Sequence, residues 1–207
     1  MRVVAAPSSE PTSRRRDAAT TRQLLLTAAR RRFAAQSYAA TTVREIADDA
    51  GVNAALISRY FESKEGLFEA CLRGVSAELD TSVRPRSSLE DVSRAIAEQL
   101  ARPDSAEHPN QLALLLRTSG DERAEAIRRD TLQSYARRLA EAVGVPLDGP
   151  GGAQVLVRAQ LALCASLGIA VLRSSTTLEP LASTDPAELV GPIQALMRGL
   201  LDPEVEL

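Results

Sequence analysis

The sequence predicts an all-α protein, on three observations. From Thr12 to Arg84 there is no proline, and Ala, Leu, Arg and Glu dominate, so helices can follow one another without a residue that removes a backbone donor. Beyond that stretch, Pro85, Pro103, Pro109, Gly120, Pro146, Gly149, Pro180 and Pro186 punctuate segments whose apolar residues recur at helical spacing. No convincing period-2 alternation marks a strand.

Residues 1–19 hold Pro7, Pro11, Ser8, Ser9, Ser13 and the run Arg14-Arg15-Arg16, the composition of a disordered basic arm. A first helix is expected from about Thr21 to Gln36, with Leu24, Leu25, Ala28, Ala29 and Phe33 on one side and Arg22, Arg30 and Arg31 on the other. A short second helix starts at Thr42, where Thr42 and Glu45 form a Thr-x-x-Glu capping box, and ends at Gly51. Asn53 is the N-cap expected for a third helix holding Leu56, Ile57, Tyr60 and Phe61. Ser63 caps a fourth with Leu67, Phe68, Cys71 and Leu72. Further helices are expected over 89–102, 110–118, 122–143, 152–174 and 186–201.

The 207 residues allow one or two domains and a sizeable core. Net charge is −2, but residues 1–64 carry 11 basic against 6 acidic side chains, and residues 65–207 carry 14 against 21. A basic head on an acidic body suggests that only the head meets a polyanion. Aromatics at 3% with no Trp weigh against base stacking. Cys71 and Cys164 have no metal-ligand spacing, and His108 is the only histidine, expected in a solvated loop. No catalytic triad, metal cluster or cofactor site is therefore indicated. Two isolated thiols and the lack of an apolar leader point to the cytoplasm. The longest apolar run, Leu161 to Leu172, is too short to span a bilayer.

Residues 42–60 have the spacing of a helix-turn-helix. Ile46 supplies an apolar contact and Ala47 lets two helices approach. Ala50 and Val52 are apolar, Gly51 occupies the turn, and Ile57 and Tyr60 pack the second helix back on the first. Such a unit projects the start of one helix into the major groove while the other rides the phosphate backbone. It also serves elsewhere as plain helical scaffold or protein-binding module; the positive charge of the same third favours DNA.

These residues resemble the tetracycline-repressor (TetR) family of bacterial transcriptional regulators. The resemblance rests on Ala28-Ala29, Phe33, Thr42-Val43-Arg44-Glu45-Ile46-Ala47, Gly51-Val52, Tyr60-Phe61 and Ser63-Lys64-Glu65-Gly66-Leu67-Phe68. It implies a helix-turn-helix DNA-binding domain over 20–66 and a helical effector-binding and dimerisation domain over 67–207. By the same resemblance, Thr42 and Lys64 contact phosphate, and Arg44 reaches phosphate or a base edge. Ala54 and Ala55 offer close approach at the start of the recognition helix, with Asn53 beside them. Ser58 and Arg59 face the groove, and Tyr60 divides between packing and phosphate. Caps and solvated charges remain the alternative for Thr42, Arg44, Asn53 and Arg59. Arg14 to Arg16 could enter a minor groove or stay solvated. Two positions depart from the family: Ser37 replaces a helix-closing glycine, and Ser58 a recognition-helix aromatic.

In such proteins the last two long helices form a homodimer. Here Leu161 to Leu172 is apolar all round and small-residue-rich, and Leu189, Val190, Ile193, Leu196, Met197, Leu200 and Leu201 form a second stripe. Leu161, Ala165, Gly168, Leu172, Leu189, Ile193, Leu196 and Leu200 are the expected interface. Gln99, Arg117, Tyr135, Arg158 and Gln160 are polar groups in semi-apolar helices; any of them could point inward as part of an effector pocket, but each is expected at the surface, and both cysteines are expected to be buried. The function expected is a homodimeric repressor that binds a pseudo-palindromic operator and is released by a small molecule. A transcriptional activator, or a helix-turn-helix module without DNA binding, is the alternative.

Overall fold

The structure, a computed structural model, describes residues 11–80, 88–102, 114–116, 120–144, 146–175 and 178–204. Its helices are α1 (Pro11–Gln36), α2 (Val43–Asp49), α3 (Ala55–Phe61), α4 (Lys64–Asp80), α5 (Leu89–Ala101), α6 (Glu122–Ala142), α7 (Gly152–Ser175) and α8 (Pro186–Leu201). A single helical turn occupies residues 114–116, and the described residues contain no strand.

Most helix ends follow from caps. Thr42 and Glu45 close a reciprocal capping box on α2, and Ser88 and Asp91 do the same on α5. The Asp121 carboxylate accepts both the Arg123 and Ala124 N–H at 3.0 Å, and Asp185 accepts the Ala187 N–H ahead of Pro186 in α8. The expected loose arm is corrected over residues 11–19: they continue α1, which begins about ten residues early. Proline at a first helical position lacks only a donor that would be unpaired anyway, so Pro11 starts the helix rather than preventing it. Residues 1–10 lie outside the described residues, as do His108, Arg117 and most of the helix expected over 110–118.

α1 to α3 and the first turns of α4 form the head. Leu25, Ala28, Ala29, Phe33, Ile46, Ala47, Ile57, Phe61, Leu67 and Phe68 are buried there. Phe33, Tyr38 and Phe68 cluster with ring centroids 5.0–5.6 Å apart, tying the end of α1 to α4. The domain boundary expected at 66/67 therefore falls inside α4, which starts in the head core and continues into the body. Tyr135 of α6 donates its hydroxyl to the Leu72 carbonyl at 3.3 Å, joining the two. Leu24, expected in the core, is 47% exposed, while Arg30, expected outside, is buried. The stripe around Leu25, Ala29 and Phe33 is simply rotated from the expected one.

In the body, α5 and α8 pack most extensively, and their direction is antiparallel. Glu90 at the start of α5 accepts a 2.6 Å hydrogen bond from Gln194 and lies 3.7 Å from Arg198, both in the second half of α8. Val92, Ile96, Ala97, Leu189, Ile193, Met197 and Leu201 share the core. α7 lies against α6 and α8. By length and composition α7, unlike the apolar run within it, is long enough to cross a membrane. Its two sides differ, however: Val155, Ala159, Ala162, Leu163 and Leu167 are buried, and Val157, Leu161, Cys164 and Leu172 are exposed.

Candidate nucleic-acid interface

The turn between α2 and α3 is built on Gly51 at φ +66°, a conformation in which a side chain is strained and glycine is not. Val52 donates to the Ala47 carbonyl at 3.0 Å across that turn, and Ile46 and Ile57, both buried, lock the two helices together. Asn53 caps α3 from one residue further out than expected: the N-cap is Ala54, but the Asn53 side-chain oxygen accepts the Ala55 N–H at 2.8 Å.

This arrangement leaves Thr42, Arg44, Asn53, Ala55, Ser58 and Arg59 exposed and Ala54, Tyr60 and Lys64 half-buried. Arg44 makes no ion pair among the described residues, and Arg59 lies 5.9 Å from the Tyr60 ring centroid with its charge otherwise uncommitted. Thr42 is engaged locally. Its N–H and its hydroxyl both donate to a Glu45 carboxylate oxygen at 2.8 Å, which holds the Glu45 carboxyl below the usual range. A phosphate reaching either Thr42 donor must therefore displace Glu45. Lys64 sits over the Tyr38 ring, with its ammonium 4.1 Å from the centroid. Partial burial lowers its pKa, against the opposing pull of Asp121, Glu65 and Glu45. Burial and then Glu65 raise the Tyr38 phenol well above its ordinary value. Lys64 thus stands at the joint between the head and Asp121, the N-cap of α6.

Several structural residues of the head have no signal in sequence spacing. Arg32 pairs side-on with Asp49, Nε and Nη2 donating at 2.6 and 2.7 Å, and its Nη1 lies 3.7 Å from Glu45. That pair anchors α2 to α1 and lowers the Asp49 pKa. Arg22 stacks on Phe61 at 5.0 Å, tying α3 to α1. The α3–α4 turn is equally constrained: a Cβ on Gly66 would stand 2.1 Å from the Phe61 carbonyl oxygen. Where the family's glycine is replaced, Ser37 still adopts the left-handed conformation, at φ +80°.

The expected dimer surface divides in two. Leu161 and Leu172 are each 41% exposed, Leu196 is 45% exposed, and Ala165, Gly168 and Leu200 are half-buried. Leu189 and Ile193 are corrected: both are buried within the chain, because α8 has two apolar faces and the one at spacing 189, 193, 197, 201 packs into the core. Cys164 is likewise exposed rather than buried; Cys71 is buried, its thiol pushed up to about 12 by that burial. Of the polar residues expected at the surface, Gln160 is exposed and Gln99 half-buried, whereas Tyr135 and Arg158 are buried.

Comparison with known proteins agrees with this geometry. Residues 25–71 match the pattern of "bacterial regulatory proteins, tetR family", and residues 90–201 that of "Tetracyclin repressor-like, C-terminal domain". HTH-type transcriptional regulator BetI 2 of Chromohalobacter salexigens is 46% identical over 54 residues, a match that spans 26% of this chain and 26% of that protein's length. Among solved structures, a TetR-family regulator from Streptomyces coelicolor is similar with a TM-score of 0.57, at 23% identity, over 95% of this chain and 99% of that one. NalD of Pseudomonas aeruginosa, described as the secondary repressor of the MexAB-OprM multidrug efflux pump, is similar with a TM-score of 0.60, at 20% identity, over 86% and 96%. Likeness at those identities is one of fold.

Proposed function

The chain belongs to the TetR family of bacterial regulatory proteins, and from that premise we propose that it is a cytoplasmic homodimeric repressor of transcription, a regulator rather than an enzyme. It binds a pseudo-palindromic operator through α3 and is released by a small molecule bound in the α5–α8 body, with no cofactor. The observation that carries this reading is the basic head with a capped α2, a Gly51 turn and an α3 whose Ser58 and Arg59 are exposed. Arg59 and Ser58 read base edges, with Ala54 and Ala55 allowing close approach and Asn53 holding the start of α3. Arg44 and Lys64 hold the backbone; Thr42 joins them if Glu45 yields, and Tyr60 supports Arg59. Two copies meet along Leu161, Ala165, Gly168 and Leu172 of α7 and Leu196 and Leu200 of α8. These form one self-complementary surface, and the two recognition helices then stand a helical turn of DNA, or a multiple of it, apart.

A mobility-shift and footprinting titration of the full chain with DNA upstream of its own gene tests this. Two protected half-sites related by a two-fold axis are expected. Binding that is equal on unrelated DNA of the same length would overturn it.

A further inference from the structure

Arg158 is only 1% exposed and is the largest fully buried side chain among the described residues. Its Nη1 donates to the Leu200 carbonyl at 3.4 Å, near the end of α8. Its Nε and Nη2 are buried and have no hydrogen-bond partner. α7 contains no Asp or Glu, and among the described residues no carboxylate pairs with Arg158. A guanidinium cannot shed its proton, so a buried, unpaired one is among the costliest groups a core can hold. An anion at the open edge removes that cost.

The rest of the molecule shows what such an edge accepts. Arg32 presents the same two donors, Nε and Nη2, side-on to the Asp49 carboxylate at 2.6 and 2.7 Å. In Arg158 the same two donors are buried and unpaired. Ala159 and Ala162, within one turn of it on α7, and Leu201, next to the carbonyl it binds on α8, are buried and apolar. A ligand here brings its charge to one point and an apolar body around it. Arg173, further along α7, gives Nη1 to the Leu100 carbonyl in the same manner, but the residue as a whole is half-buried and only its Nε, not a two-donor edge, is buried without a partner.

We infer that Arg158 is the anchor of an oxyanion site in the body, taking the carboxylate of an apolar organic acid in a bidentate pair, and that this acid is the effector. The second clause rests on the regulator reading above; the first does not. The planar two-oxygen edge of a carboxylate matches the guanidinium fork.

The test is calorimetric titration of the full chain, in a chloride buffer free of oxyanions, with acetate, benzoate, octanoate, octanamide and inorganic phosphate. Wild type should bind benzoate or octanoate saturably and more tightly than acetate, and should not bind octanamide. Arg158→Met should weaken the tightest acid about tenfold to hundredfold, as expected for losing hydrogen bonds to a charged group. Its ligand-free melting temperature should equal or exceed that of wild type, because an unpaired buried charge has been removed. Arg158→Lys, which keeps the charge without the fork, should fall between the two in affinity, and it serves alone if the methionine variant does not fold. No saturable binding of any carboxylate, equal affinity in all three proteins, or phosphate binding more tightly than every carboxylate would overturn the assignment. The tightest acid should also lower wild-type affinity for DNA upstream of its own gene at least about fivefold. A filled site with unchanged DNA affinity would overturn the effector role. A wild type that binds acid but no DNA would overturn the regulator reading and leave the anion site standing.

Discussion

One arginine of the head and one of the body meet opposite surroundings. In the head, Arg32 is partly exposed and meets a carboxylate seventeen residues away, while Arg44 and Arg59 are held out to solvent. In the body, Arg158 is fully buried and meets only a carbonyl. The head is therefore complete as a folded unit and offers its charge outward, as a phosphate-binding surface requires. The body is incomplete in two places, the open edge of Arg158 and the exposed stripe of α7 and α8. In the proposed reading a ligand fills the first and a second copy covers the second. Two glycines, one in each region, differ as sharply. Gly66 in the head leaves no room for a single carbon, whereas a Cβ on Gly168 in the body meets nothing within 4 Å.

The largest expected effect separates the two regions at these glycines. A Cβ at Gly168 meets nothing within 4 Å, so Gly168→Glu should leave the single chain folded and, at the proposed interface, place a carboxylate in an apolar contact at a cost of several kcal/mol of association. Sedimentation should show a folded monomer, with operator affinity lost although no DNA contact has changed. A variant that stays dimeric would place the interface elsewhere. Gly66→Ala should do the reverse, destabilising the head by about 3 kcal/mol through the clash with the Phe61 carbonyl, read as a lower denaturant midpoint. If it melts like wild type, the α3–α4 turn is not a rigid joint.

These contrasts were legible in sequence to different depths. Caps are local, so the starts of α2, α5, α6 and α8 and the Gly51 turn could be read from a few consecutive residues. The end of α1 could be placed at Ser37, although nothing local shows that a serine would accept φ +80°. What escaped depends on residues far apart in the chain. Arg32 meets Asp49 across two helices, and Leu24 is exposed while Leu25 is buried because of how α2 and α4 lie against α1. In α8 the apolar residues outnumber one face, and only packing against α5 decides that Leu189 and Ile193 turn inward while Leu196 stays outside. Arg158 escaped for the opposite reason: a polar residue in an apolar helix is usually at the surface, and here the surface side is apolar.

Smaller effects sharpen the comparison within the head and at the start of α5. Acid should affect the capping and pairing carboxylates first. Hydrogen bonds from Thr42 lower the Glu45 pKa, and those from Arg32 and Ser88 lower Asp49 and Asp91. Groups whose native pKa is depressed stabilise the fold above their unfolded values, about 4, and that stability is lost as pH falls through the native values. The melting temperature should be flat above about pH 5 and fall below about pH 4, with less of a fall in Asp49→Asn. A fall that begins near neutrality would assign it to other groups. Ser37→Gly should raise stability by about 0.5–1 kcal/mol by relieving the left-handed serine, read from the same melts. A loss of stability would mean that the serine side chain contributes more than its backbone costs.

The most direct test of the head as a DNA reader is a salt series of binding isotherms for wild type, Arg59→Ala and Lys64→Ala on the footprinted operator and on unrelated DNA. Arg59→Ala should lose about 1–3 kcal/mol on the operator and little on unrelated DNA. Lys64→Ala should weaken both alike and reduce the salt slope by about one. Equal losses on both DNAs for Arg59→Ala, or none, would contradict the assignment of α3 as the helix that reads sequence.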